Sequence, residues 1–85
     1  SYLKKSINLN PKNAYAWYLL SRAYAQVKSI PLANYATAER YFLTGERGLS
    51  YEFALKALKG VEEYSPEWYR STDLIAILEK EVTNR

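Results

Sequence analysis

The stretch from Asn13 to Tyr24, NAYAWYLLSRAY, decides the fold of this chain. Four of its residues follow the spacing W-x2-L-small-x2-Y, namely Trp17, Leu20, Ser21 and Tyr24. Steps of three and four residues place large apolar side chains on one face of a helix, and a small residue beside them lets a neighbouring helix approach. Asn13 is a preferred N-cap residue, so we expect a helix over about 13–27, with Val27 on the apolar face.

The hydrophobic period is helical along the whole chain, and no stretch alternates as a strand does. We expect five short helices, at about 1–9, 13–27, 31–44, 47–60 and 66–82. Proline in a first turn, glycine at a C-cap and serine at an N-cap mark the boundaries, at Ser29, Pro31, Gly45, Ser65 and Pro66. Short connections favour antiparallel neighbours, so the prediction is an all-α stack of helical hairpins in one domain, residues 1–85.

The fourth predicted helix has small residues at the spacing that close helix packing requires, Ser50, Ala54 and Ala57. The fifth has apolar residues at Trp68, Ile75, Leu78 and Val82, widened by Leu74 and Ile77. We expect both sets to face the core.

The pattern around Trp17 resembles the first helix of a tetratricopeptide repeat (TPR). The preceding string SINLNPKN, residues 6–13, is similar to the end of a second TPR helix. This resemblance implies a TPR-like stack that acts as a binding module, as the C-terminal fragment of a longer protein with at least one further repeat upstream.

Four strings resemble something narrower: WYLLSRAYAQ, ATAERYFLTGE, ALKAL and SPEWYRSTDLIAIL. Together they are similar to the C-terminal tail of bacterial HtpX-like zinc metallopeptidases that carry TPRs, over about residues 13–78. The discriminating parts are the AE-x-Y-x-L-x-G run and the SPEW helix start. Gly48, Leu49 and Gly60 depart from that family's pattern.

This narrower resemblance implies a periplasmic parent enzyme in outer-membrane protein quality control, whose TPR tail binds substrate or assembly machinery. Those enzymes hold zinc through an HExxH helix and a further glutamate, but the present chain has neither histidine nor cysteine. The familiar triads and zinc sites need these residue types. We therefore expect no catalytic residue, no metal and no cofactor within this chain, and the resemblance places the zinc in another part of the parent.

Charge is distributed unevenly along the chain. The net charge is +3, but the first 30 residues carry five basic side chains and no acid. This asymmetry favours an acidic partner, and the alternative is a solvated basic face. Later basic residues alternate with Glu39, Glu46 and Glu52, which is typical of surface charge pairs and not of a nucleic-acid reader helix.

Candidate binding residues lie on the side of the first TPR-like helix away from Trp17. Tyr18, Arg22 and Gln26 are four residues apart and form one strip, to which Tyr15 and, more weakly, Tyr51 and Lys28 add. A tyrosine beside an arginine can bind a carboxylate or an extended chain. The alternative is that Tyr18 packs against a neighbouring helix and Arg22 is solvated.

From these observations we expect a module that binds protein or peptide, and not nucleic acid. The alternative functions are a TPR scaffold or dimerisation module of an unrelated parent, and a small helical nucleic-acid binder.

Overall fold

The computed structural model describes residues 11–83, and these form four helices with no strand among them. The helices are α1 (Ala14–Gln26), α2 (Ile30–Thr44), α3 (Arg47–Leu58) and α4 (Pro66–Thr83). This confirms the all-α prediction, and the helix bounds agree within two residues. The expected helix at 1–9 lies outside the described residues, so the described part of the chain holds four helices and not the five expected.

Local chemistry sets most of the helix boundaries. The Asn13 side chain accepts a hydrogen bond from the backbone N–H of Ala16 at 3.1 Å, and Ser65 Oγ accepts one from the N–H of Trp68 at 3.2 Å. These bonds satisfy amides that a helix start leaves unpaired. Gly45 ends α2 with φ of 83°, the left-handed conformation that glycine adopts without steric cost. These three predicted boundary residues are confirmed. Ser29 precedes α2 as predicted, with Pro31 in the first turn, but its side chain makes no capping hydrogen bond.

Helix α2 is the centre of the stack, because it contacts each of the other three helices. It shares one core cluster with α1, formed by Ala16, Trp17, Leu20 and Ala36. It shares a second with α3 and α4, formed by Ala38, Ala54 and Leu74. The Trp17 ring meets Tyr35 of α2 edge-on, with centroids 5.6 Å apart. The W-x2-L pattern is thus core, as predicted.

The predicted strip of small residues on α3 is also confirmed. Ser50, Ala54 and Ala57 are fully buried. Ser50 Oγ donates a hydrogen bond to the carbonyl oxygen of Ala38 at 2.8 Å, so the one polar member of the strip has a partner in α2. Larger side chains here would hold α2 and α3 apart and break that bond.

Two details of the predicted packing are wrong. Val27 is 70% exposed, because α1 ends at Gln26 and Lys28 takes a left-handed φ of 60°. Ile77 is 39% exposed on α4 and lies outside both core clusters. Helix α3 ends at Leu58, two residues before the expected bound, and Gly60 then lies so close to α2 that an added Cβ would be 2.5 Å from Pro31 Cγ.

Candidate functional site

The predicted strip on α1 lies beside a second set of polar and aromatic side chains. Tyr15 and Tyr18 are in ring contact, with centroids 6.2 Å apart, and the Arg22 guanidinium carbon is 5.9 Å from the Tyr18 ring centroid. Tyr15 is 66% exposed and Arg22 is exposed. Tyr15, Tyr18 and Arg22 are therefore one continuous group, in which Tyr18 is half-buried and the other two side chains face solvent.

Arg40 of α2 completes this group, and it was not among the predicted site residues. Its guanidinium carbon lies 4.8 Å from the Tyr18 ring centroid and 4.9 Å from that of Tyr41. Both distances are within the range of favourable cation–π contact. We call Tyr15, Tyr18, Arg22, Arg40 and Tyr41 the arginine–tyrosine surface.

The surface continues onto α3 through ring contacts. Tyr41 and Phe53 have ring centroids 5.8 Å apart, and Lys56 Nζ lies 4.7 Å from the Phe53 centroid. Unlike the arginines, Lys56 has a carboxylate at hand, since Glu52 Oε1 is 3.6 Å away. Rings and cations thus alternate across three helices.

The electrostatics of the arginine–tyrosine surface are one-sided. No carboxylate of the described residues lies within 4.0 Å of the side-chain nitrogens of Arg22 or Arg40, whereas Arg47, Lys56 and Arg70 each have such a partner. Residues 1–10 cannot supply one from a side chain, because they contain no Asp or Glu. Among the described residues, the two arginines of this surface therefore contact aromatic rings and no acidic side chain.

Two open depressions flank the surface. One, of about 270 Å³, is lined by Ala14, Tyr15, Tyr18 and Arg40. The other, of about 240 Å³, is lined by Leu19, Arg22, Ala23 and Gln26. The predicted residue Gln26 is thus beside Arg22 but in a different depression from Tyr18.

Tyr51 and Lys28 are not part of this arrangement. The Tyr51 hydroxyl donates a hydrogen bond to Glu79 Oε1 of α4 at 2.8 Å, and this bond raises the pKa of Tyr51. Lys28 lies exposed in the turn that follows α1. The structure therefore brings together Tyr15, Tyr18 and Arg22, but leaves Tyr51 paired with another helix.

A different cluster occupies the other side of α2, and here the sequence interpretation is corrected. Glu39, expected in a surface charge pair, is only 6% exposed. Arg70 of α4 donates two hydrogen bonds to it, Nε to Oε2 at 2.9 Å and Nη2 to Oε1 at 3.1 Å, and the Tyr35 hydroxyl donates to Oε2 at 2.8 Å. We call Tyr35, Glu39 and Arg70 the buried carboxylate cluster.

Protonation in the buried carboxylate cluster follows from its geometry. Burial, reinforced by the Glu39 charge and hydrogen bond, raises the pKa of Tyr35 far above its usual value. The hydrogen bond to Glu39 likewise raises the pKa of Arg70. The tyrosine thus stays neutral and the arginine stays charged. Both carboxylate oxygens of Glu39 accept hydrogen bonds from within the cluster. The sequence signal that could have identified Glu39 is its spacing of four residues from Tyr35 on a helix with a buried face.

A third depression, of about 290 Å³, lies where Gly60 approaches Pro31, and its lining includes the carboxylates of Glu62 and Glu67. Its charge is therefore negative, whereas that of the arginine–tyrosine surface is positive.

Within residues 11–83 no three side chains of the metal-binding types lie together. No helix in that range is both long enough and apolar enough to cross a membrane.

A stack of short helices with cores between successive members is the architecture of a helical repeat. Consistent with this, a family model for the tetratricopeptide repeat matches residues 2–40, which include α1 and most of α2. The match supports a TPR-like domain of the protein-interaction type. No curated protein and no solved structure matches the chain.

Proposed function

We propose that this chain is a protein-binding module and that a partner polypeptide lies on the arginine–tyrosine surface. The observation that carries the proposal is the pair Arg22, which is exposed, and Arg40, which is half-buried: both contact the Tyr18 ring, and the described residues provide no carboxylate for either. Tyrosine and arginine are enriched where protein interfaces concentrate their binding energy.

The chemistry of the surface suits an extended chain. Stacking on Tyr18 and Tyr41 limits the rotamers of Arg40, so less conformational entropy is lost when its N–H groups bind a ligand. Tyrosine rings offer apolar area together with a hydroxyl, which suits mixed backbone and side-chain contacts.

The depressions favour a polypeptide over a small molecule. Their volumes, about 270 and 240 Å³, are below the ~300–1,000 Å³ of typical small-ligand pockets. Two open depressions, one lined by Tyr18 and the other by Arg22, can instead accept successive side chains of one peptide.

A peptide array tests the proposal. The full chain is probed against overlapping peptides of unbiased composition, and affinities for the bound peptides are then measured for Tyr18→Ala and for the control Tyr69→Ala. Tyr69 is a tyrosine with an exposed side chain, like Tyr15 of the surface, but it lies on α4. We expect Tyr18→Ala to weaken binding about tenfold and Tyr69→Ala to leave it unchanged. An array on which nothing binds, or equal effects of the two variants, would refute the assignment of the surface.

We further propose that the parent protein is a periplasmic zinc metallopeptidase for which this module recognises substrate or partner. The support is the sequence resemblance over about residues 13–78, from WYLLSRAYAQ to SPEWYRSTDLIAIL. In that case the zinc is held by residues outside this chain. The sequence encoded upstream of Ser1 tests this directly: an HExxH helix there is expected, and an upstream region without one overturns the metallopeptidase assignment.

Two other functions predict different results. A scaffold or dimerisation module would bind no array peptide and would sediment as a dimer or larger species. A nucleic-acid binder would instead show salt-sensitive binding to duplex DNA or RNA. Either result would replace peptide recognition as the function of this surface.

A further inference from the structure

We infer that the partner segment is acidic, and that Arg40 with Arg22 selects it through Asp and Glu side chains of an extended peptide. The inference deepens the proposed function and rests on it. Its starting point is that the described structure arranges cations on this surface without anything to neutralise them.

The other strong cations of the described helices show what these side chains do when an acid is near. Arg70 Nε lies 2.9 Å from Glu39 Oε2, and Arg47 Nε lies 3.5 Å from Glu81 Oε2. The Arg40 guanidinium carbon instead lies 4.8 Å from the ring centroid of Tyr18 and 4.9 Å from that of Tyr41. A guanidinium stacked by its face keeps its N–H edge available for a carboxylate. Arg40 can therefore bind a carboxylate while it keeps its contacts with both rings.

The surrounding sequence strengthens the field at this surface. From residue 11 to 44 the chain contains four basic side chains, Lys12, Arg22, Lys28 and Arg40, and its single acid is Glu39. Arg70 neutralises Glu39 inside the buried carboxylate cluster. The half of the molecule that carries the arginine–tyrosine surface is thus positively charged, which attracts acidic segments and repels basic ones.

Charge also gives a bound segment a limit. The depression near Gly60 carries Glu62 and Glu67, which would repel an acidic chain. An acidic segment would therefore be held across α1 and α2, with Tyr15 and Tyr18 offering apolar contact between its carboxylates. Lys56, already paired with Glu52, would add less than the arginines.

The test uses the full chain and three fluorescein-labelled peptides of about 12 residues, which extend over about 40 Å and so match the longest dimension of the described fold, 39 Å. The first alternates glutamate with leucine and tyrosine. The second replaces every glutamate with glutamine, and the third replaces it with lysine. All are amidated at the C-terminus, so no terminal carboxylate contributes.

We expect the glutamate peptide to bind about tenfold more tightly than the glutamine peptide and to weaken as salt rises from about 50 to 300 mM. Equal affinity of the glutamate and glutamine peptides overturns the inference but leaves the proposed function standing. Binding of none of the three, together with an empty peptide array, removes both. Tighter binding of a duplex oligonucleotide than of the glutamate peptide assigns the surface to phosphate and also overturns the inference.

Variants then locate the selecting group. Arg40→Gln should lose about tenfold in affinity for the glutamate peptide and little for the glutamine peptide, while Arg40→Lys should retain part of the difference. Arg47→Gln is the matched control, because Arg47 also stacks on a ring, that of Phe42, but already has Glu81 as a partner. Equal losses for Arg40→Gln and Arg47→Gln, with unchanged urea midpoints, would show that the position of Arg40 carries no selectivity.

Discussion

The two sides of α2 hold similar groups in opposite states. On one side Arg70 lies 5.6 Å from the Phe42 ring centroid and is bound to the buried carboxylate of Glu39. On the other, Arg40 lies 4.9 Å from the Tyr41 ring centroid and no described carboxylate reaches it. The same pairing of arginine with an aromatic ring therefore serves stability where an internal acid is present, and is available for recognition where it is absent.

The largest expected effect comes from disrupting the buried carboxylate cluster, which lies on what we call the closed side of α2. Glu39→Ala should lower the free energy of unfolding by about 2–3 kcal/mol, because it leaves Arg70 and the Tyr35 hydroxyl without their acceptor. Arg70 is 38% exposed, so water can recover part of the loss and the effect is kept below that of a fully buried pair.

Urea denaturation measures this effect, with Glu46→Ala as the control, since Glu46 is an exposed acid just beyond the end of α2. A loss for Glu39→Ala no larger than for Glu46→Ala would mean that the buried carboxylate cluster does not stabilise the fold.

On the open side of α2, where the arginine–tyrosine surface lies, the expected change is in the affinity for a peptide. Arg40→Gln should weaken binding of an acidic peptide by about 1.4 kcal/mol, a factor of ten, and change the free energy of unfolding by less than about 0.5 kcal/mol. Fluorescence anisotropy and urea denaturation on the same protein give both numbers. A variant that binds normally but unfolds early would show that Arg40 belongs with the structural residues.

Alkaline pH sharpens the comparison, because the buried carboxylate cluster contains a tyrosine hydroxyl that is hydrogen-bonded to Glu39. The pKa of Tyr35 is raised in the folded state by burial and by Glu39, so the folded protein holds a proton that the unfolded chain releases near pH 10. The stability that this group contributes is complete below about pH 10 and declines as pH rises, by up to about 1.4 kcal/mol per pH unit.

Urea midpoints measured from about pH 9 to 11 follow this decline. Tyr35→Phe should flatten it, whereas Tyr51→Phe should flatten it less, since the Tyr51 hydroxyl bonds Glu79 in an exposed setting. Identical pH profiles for wild type and Tyr35→Phe would contradict the assigned role of burial.

The smallest expected effect comes from removing the acidic partner of a cation at the edge of the arginine–tyrosine surface. Glu52→Gln removes the exposed partner of Lys56, at a cost in stability of about 0.3–0.5 kcal/mol. Because Lys56 stacks on Phe53 at the edge of the arginine–tyrosine surface, affinity for an acidic peptide should rise about two- to threefold. Unchanged affinity would place the limit of the binding surface at Tyr41.

Much of the fold could be predicted because its signals are local. The caps at Asn13 and Ser65, the left-handed Gly45 and the small strip that begins at Ser50 depend on residues within one or two helical turns. Val27 was misplaced because periodicity alone does not report where a helix ends.

The sites were harder to predict because they depend on contacts between distant residues. Glu39 meets Arg70 across 31 positions, so the sequence shows two ordinary charges where the fold makes one buried pair. Arg40 likewise reaches Tyr18 only because α2 packs on α1. The prediction for α1 thus identified one part of the arginine–tyrosine surface. The part contributed by α2 could be identified only from the tertiary structure.

One paired measurement tests the central contrast most directly: acidic-peptide affinity and urea midpoint, each determined for Arg40→Gln and Arg70→Gln. We predict a crossed result, in which Arg40→Gln loses affinity about tenfold at near-normal stability, and Arg70→Gln loses stability while the folded protein retains affinity. Parallel losses in both variants, or a loss of affinity confined to Arg70→Gln, would contradict the account.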